Sequence, residues 1–156
     1  MKRAWIIVLL AVIVLGVVGI GVARRGLGPT HQSNLSQPRI YAYRDWQSVG
    51  VQVNTGDLIR LRAHGRWMYT PGEYHGPEGH RIYRAPSFYP VAGTAGGVLL
   101  GRIGEDGPIF IVGRGGTFYA ERSGLLYLRI NDDILSDNDG YVTVEVSVTS
   151  PTPQQN

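Results

Sequence analysis

Eight residues near the end of the chain hold its densest chemistry. Asp132, Asp133, Ile134, Leu135, Ser136, Asp137, Asn138 and Asp139, followed by Gly140, put four carboxylates and an amide into one short loop. Carboxylates held close together repel, and some take up protons unless a cation sits among them. No Lys or Arg follows Arg129, so the stretch reads as lacking a local counter-charge. Oxygen-only donors of this kind suit a hard ion such as calcium better than zinc or copper. The same residues also make an ordinary solvated turn, because Asp, Asn and Gly are common turn formers. On the loop alone both readings stand.

The spacing is not that of an EF-hand, which needs an acid at loop position 1, Gly at 6 and Glu at 12. With Gly140 sixth, the first residue is Leu135 and the twelfth is Val146. Ligands from a second segment would have to complete a calcium shell. Other constellations are weaker. Glu73, His75, Glu78 and His80 offer zinc donors, but their spacing fits no standard pattern and Gly76, Pro77 and Gly79 make the stretch a turn. The glycine-rich stretches 93–97 and 113–116 lack the Lys and the following helix of a phosphate loop. Glu105 and Asp106 are adjacent in a Gly-Pro turn, a poor place for a paired acid and base. No G-x-S-x-G nucleophile motif is present. The expectation is a protein that binds rather than catalyses.

The elements that must position these residues read as strands. Residues 141–148 alternate with Val at every second position, the pattern of a half-buried strand. Residues 57–63, 98–103, 109–112 and 125–130 also read as strands, separated by clusters of Gly, Pro, Asn and Asp. No segment of this region reads as a helix. The fold expected is all-β, a sandwich of short strands. The longest irregular stretch, 69–97, holds Tyr69, Tyr74, Tyr83, Phe88 and Tyr89, as binding loops often do.

The start of the chain stands apart. Residues 4–23 form an unbroken apolar run of 20 residues. As a helix it would span about 30 Å, a bilayer core. A cleaved secretory signal has a shorter apolar region, although Gly21-Val22-Ala23 resembles a cleavage site. We therefore expect one N-terminal transmembrane helix within residues 1–25, with secretion as the outcome if it is cleaved. Basic residues on both sides give only a slight lean by the positive-inside rule, toward a domain outside the cytoplasm, periplasmic or extracellular. Residues 26–38 read as a flexible linker, 39–149 as the folded domain and 150–156 as a disordered tail. Of the 15 Lys and Arg, four flank the apolar run; from Gly26 onward 11 Arg face 12 acidic residues. That near-neutral balance gives no support to a nucleic-acid partner. Without Cys there is neither a disulfide nor a thiolate metal site.

One segment is more distinctive than composition. Gly65-Arg66-Trp67-Met68-Tyr69-Thr70-Pro71 followed by His75-Gly76-Pro77-Glu78-Gly79, with the later Asn131-Asp132 and Asp137-Asn138-Asp139-Gly140, resembles the calcium-dependent galactophilic lectins typified by the bacterial PA-I lectin (PA-IL). The resemblance runs from Asp45 to Val148. It implies a jelly-roll, galactose-binding-like β-sandwich with one calcium at an edge and sugar hydroxyls completing its shell. Carried onto this chain, it implies Tyr69 as a ligand through its carbonyl, Asp132 as the acid shared by ion and sugar, Asp137 and Asn138 as side-chain ligands, and Ser136 near a further carbonyl ligand. Asp132, Asp133, Asp137 and Tyr83 would face the sugar. The loop between Asp132 and Asp137 is shorter than the family pattern, and Tyr83 and Pro86 stand where the family has a His and a Gln that read galactose. Trp67 or Tyr74 would serve as a platform for a sugar ring, or as core.

The resulting expectation is a membrane-anchored, calcium-dependent carbohydrate-binding protein of the bacterial envelope, galactose-type sugars included and homo-oligomer formation in keeping with the family. The alternative is a non-catalytic envelope structural or protein-interaction domain on the same fold. A glycan array with and without calcium separates the two.

Overall fold

The computed structural model describes residues 36–151. The apolar run 4–23 and most of the linker and tail lie outside them, and among the described residues no helix is long and apolar enough to cross a membrane. Nine strands and one turn of 3-10 helix follow in order: β1 (Arg39–Tyr41), β2 (Gln47–Val53), β3 (Leu58–Thr70), β4 (Glu73–His75), β5 (Leu99–Ile103), β6 (Phe110–Ile111), β7 (Gly115–Tyr119), β8 (Gly124–Ile130), the 3-10 turn Leu135–Asp137, and β9 (Asp139–Thr149). They form two antiparallel sheets, one ordered β1-β9-β3-β4 with β7 also on β3, the other β2-β8-β5-β6. The all-β expectation therefore holds.

The core explains the pairing. On β9, Val142, Val144, Val146 and Val148 point inward. They meet Ile59, Leu61, Ala63 and Trp67 of β3, and Val49, Val53, Leu99, Ile103, Leu126, Leu128 and Ile130 of the second sheet, in one buried cluster. Each fully buried aliphatic side chain of this kind contributes roughly 1.5–3 kcal/mol. The period of two leaves alternate residues of both central strands for solvent.

The strand expected at 57–63 runs on to Thr70. Gly65 looks like a break, and its φ of +112° is one that other residues avoid. Pairing with β9 nevertheless continues without a slip from Leu58↔Thr149 to Met68↔Asp139. A Cβ at Gly65 would lie 3.1 Å from the Tyr141 carbonyl, so the glycine lets the two backbones approach. Trp67 is consequently within the strand, 0% exposed, and its indole N–H donates to the Gly97 carbonyl at 3.0 Å. It is core and offers no face to a sugar; Tyr74, 45% exposed, does.

Three further points were not foreseen. β1, β2, β4 and β7 are strands that the pattern did not announce, and Gly115-Gly116 belongs to β7 rather than to a turn. The Ser36 and Pro38 carbonyls accept bonds from Val146 and Val144 N–H, so the described chain already lies along β9 before β1 begins. The long segment 76–98 is pinned by Asn131, 0% exposed: its Oδ1 accepts from Val91 N–H at 3.0 Å, and its Nδ2 donates to the Val91 and Ala95 carbonyls at 3.0 and 3.2 Å.

Candidate functional site

Asp132 leaves the end of β8 and turns into the interior, 2% exposed. Its Oδ1 accepts from the Asp133 N–H at 2.9 Å, its Oδ2 from Asn138 Nδ2 at 2.8 Å, and the Tyr89 hydroxyl donates to the same carboxylate. Burial pushes the Asp132 carboxyl above the usual aspartate range; the bonds from Asn138, Tyr89 and Asp133 oppose this, and the Asp133 charge adds to it. Burial, then the Asp132 charge, raises the Tyr89 hydroxyl too, so Tyr89 stays a neutral donor.

Asn138 closes the 3-10 turn Leu135–Asp137. Its Nδ2 also donates to the Ala42 carbonyl at 3.3 Å. Its Oδ1 is buried and, among the described residues, has no donor. Leaving a buried acceptor unmatched costs about 1–3 kcal/mol. That oxygen belongs to the amide whose nitrogen bonds the buried Asp132 carboxylate, so the two side chains offer oxygen ligands of the kind a hard cation takes. The fit to calcium is good at these two residues.

Tyr69, the carbonyl ligand that the resemblance implies, lies at an irregularity near the end of β3. The Met68↔Asp139 pair ends the β3–β9 ladder, and the β3–β4 register shifts between Met68 and Thr70, leaving Tyr69 without a partner position. A bulge of this sort takes the extra residue out of the ladder. The Leu135–Asp137 turn contacts strand β3. The Tyr69 side chain is core, and burial above all raises its hydroxyl. Asp133, Ser136 and Asp137 are exposed, and Asp139 accepts from the Gly140 N–H at 2.7 Å as a turn residue does. The structure therefore brings Asp132 and Asn138 together and leaves Asp133, Ser136 and Asp137 at the surface.

The counter-charge that the loop seemed to lack is Arg129. It is 9% exposed, folds back to donate from Nη2 to the Asp132 carbonyl at 2.7 Å, and pairs through Nη1 with Asp45 at 2.6 Å. Burial draws this guanidinium below its usual value, while Asp45 and Asp132 hold it up. Trp46 stacks beneath, 5.6 Å from ring centre to guanidinium carbon. Linear spacing missed this because the cation precedes the loop.

Tyr83, 42% exposed, stands 6.5 Å from the Tyr89 ring, and their hydroxyls are hydrogen-bonded. Tyr83, Tyr89 and Asp132 thus form a polar chain from surface to interior. Tyr89 was missed as a site residue: its approach depends on a turn in which the Pro86 carbonyl accepts from Tyr89 N–H, and no spacing in the sequence announces that.

A second group of donors lies nearby. Glu73 Oε2 is 3.3 Å from His75 Nε2 and 3.7 Å from His80 Nε2. His80 Nδ1 accepts from the Ile82 and Tyr83 N–H groups at 3.0 and 2.8 Å, so the neutral ring carries its proton on Nε2. A metal at Nε2 would require the opposite arrangement, with Nδ1 donating. His80 is thereby set to donate toward Glu73 rather than to ligate through Nε2, while Glu73, His75 and His80 keep their donor atoms within 4.8 Å of one another.

Comparison with known proteins bears on the fold. A solved structure described as the EclA N-terminal domain, a PllA-like lectin, superposes with a TM-score of 0.58 at 23% identity, over 73% of this chain and 96% of that one. At that identity the likeness is one of fold, a lectin-like β-sandwich, and not of the PA-I type in particular. No family model matches the chain, and no curated protein does.

Proposed function

We propose that this protein is a calcium-dependent carbohydrate-binding domain, tethered outside the cytoplasm by its N-terminal apolar segment. The observation that carries the reading is the buried pair Asp132 and Asn138, with an Asn138 oxygen that no donor among the described residues reaches. A buried carboxylate and an amide oxygen without a donor are the oxygen ligands that calcium takes, six to eight in all, and Tyr69 would add its carbonyl as the family resemblance implies. When bound, calcium would supply coordination sites that adjacent sugar hydroxyls can fill. Asp132 would accept a charge-assisted hydrogen bond from such a hydroxyl. Tyr83 would offer its exposed hydroxyl to the ring, held in place by Tyr89. The lectin described above supports this reading through its fold. With Tyr83 and Pro86 in place of the galactose-reading pair, strong galactose preference is not expected.

A glycan array run in calcium and in chelator tests the proposal. Binding in calcium alone, lost in Asp132→Ala, is the expected result. Sugar binding that persists in chelator would move the site to the aromatics of residues 69–89. A second reading rests on Arg129, which bonds the Asp132 backbone carbonyl and whose own charge Asp132 helps to hold, so the loop has a cation of its own. In that case the domain is a structural or protein-interaction module; no glycan bound in calcium, together with a calcium-insensitive melting curve, is its signature.

A further inference from the structure

The near-neutral total conceals a segregated charge. On β3 the solvent side carries Arg60, Arg62, His64 and Arg66, all exposed. Their cross-strand partners on β9 are Ser147, Glu145, Thr143 and Tyr141, and Arg39 of β1 sits opposite Thr143. Same-face neighbours along a strand stand about 7 Å apart, so Arg60 to Arg66 makes a straight row of about 20 Å. Glu145 is the only acid among these positions, and it meets Arg62 in register. Among the described residues none of these arginines, nor Glu145, forms an ion pair. Arg66 donates to the Tyr74 carbonyl at 2.6 Å, and Arg39 lies over the Tyr141 ring at 4.7 Å; Arg60 and Arg62 have no such engagement. Between them is a recess of about 270 Å³ lined by Arg60, Arg62, Glu145 and Ser147.

We propose that this outer sheet face binds a linear acidic polysaccharide, with the recess seating one carboxylated sugar residue. Two guanidinium groups match the carboxylate, Arg being suited to planar bidentate pairing. Glu145 and Ser147 match the neighbouring hydroxyls, since a carboxylate accepts and a hydroxyl does both. That composition selects the partner. A bare phosphate chain brings no hydroxyl to Glu145, whereas a uronate offers an anion and hydroxyls on one ring, which this lining can take together. The row Arg60, Arg62, His64 and Arg66 then follows the polymer. The site shares no residue with the calcium loop, so it stands or falls apart from the function proposed above.

The test uses the full chain in neutral detergent, in chelator throughout, with polygalacturonate immobilised on a sensor surface. Binding is expected, weakening steeply as salt rises through physiological strength, with neutral galactan unbound. Arg60→Ser with Arg62→Ser should lower affinity at least tenfold while leaving the melting curve in place, because both side chains are exposed. Glu145→Gln should weaken uronate binding severalfold. Soluble polyphosphate of equal charge should displace the protein poorly. Displacement by polyphosphate equal to that by polygalacturonate, or tighter binding in Glu145→Gln, would reveal a generic basic surface and overturn the proposal. So would affinity for galactan equal to that for polygalacturonate.

Discussion

At the scale of single residues, Asp132 sets the pH response of the loop. Its folded-state pKa lies above the ordinary aspartate value, so without calcium the native chain holds this proton more tightly than the unfolded chain does. In chelator, this group should make stability rise as pH falls from neutral toward the ordinary aspartate range. In saturating calcium the trend should reverse, because protons then compete with the ion for the same oxygens. Urea unfolding between pH 7 and pH 4, with and without calcium, reads both slopes; parallel slopes would remove the ion from Asp132. Tyr89→Phe deletes one donor to the same carboxylate and should cost about 1–2 kcal/mol at neutral pH in chelator. The cost should shrink at acidic pH as the carboxyl protonates, and equal costs at both pH values would place the Tyr89 hydroxyl elsewhere. Asp132 and Asn138 were visible in the sequence because acids and amides crowd one loop. Tyr89 and the role of Arg129 were not, because a side chain's partner across a fold leaves no periodic trace.

At the scale of elements, the legible strands were those with uninterrupted alternation on one buried face. β9 was read almost to its ends, since four valines at every second position admit no other periodicity. β7 and β4 are short, with Gly or polar residues, and their identity comes from β3 beside them rather than from their own pattern. β3 was cut short because Gly65 mimics a turn signal. The segment before β5 depends on another glycine. Gly97 has a φ of +72°, donates its N–H to the Asn131 carbonyl, and accepts from Trp67. A Cβ there would sit 2.6 Å from the Tyr69 ring. Gly97→Ala should therefore cost about 1–3 kcal/mol from overpacking, with backbone strain added. Because Tyr69 is the ring displaced, the variant should also weaken calcium binding; a calorimetric titration giving unchanged affinity would detach Tyr69 from the ion.

At the scale of the whole molecule, tether and ion make separate predictions. If residues 4–23 anchor the chain, it should remain in the membrane pellet through a carbonate wash, and residues 36–156 alone should be soluble and folded. A mature N-terminus at Arg24 in the soluble fraction would indicate a cleaved signal instead. Calcium at 100 times its dissociation constant should add about 2.7 kcal/mol. For a domain of this size that is a melting rise of roughly 10 °C. Asp132→Ala should abolish it. The sheet order carries one more consequence. β9, the last strand in chain order, lies between β1 and β3 and supplies four of the valines that both sheets bury. Until the ribosome has released Thr149, β1 and β3 have nothing between them, and the four valines of β9 are missing from the interior. A nascent chain in that state stays threadable, which is the condition in which a translocation channel can accept it. The same arrangement makes an early stop codon unforgiving: a product ending before Tyr141 would present two unpaired strand edges to its neighbours and be a substrate for proteases and aggregation rather than a smaller version of the protein.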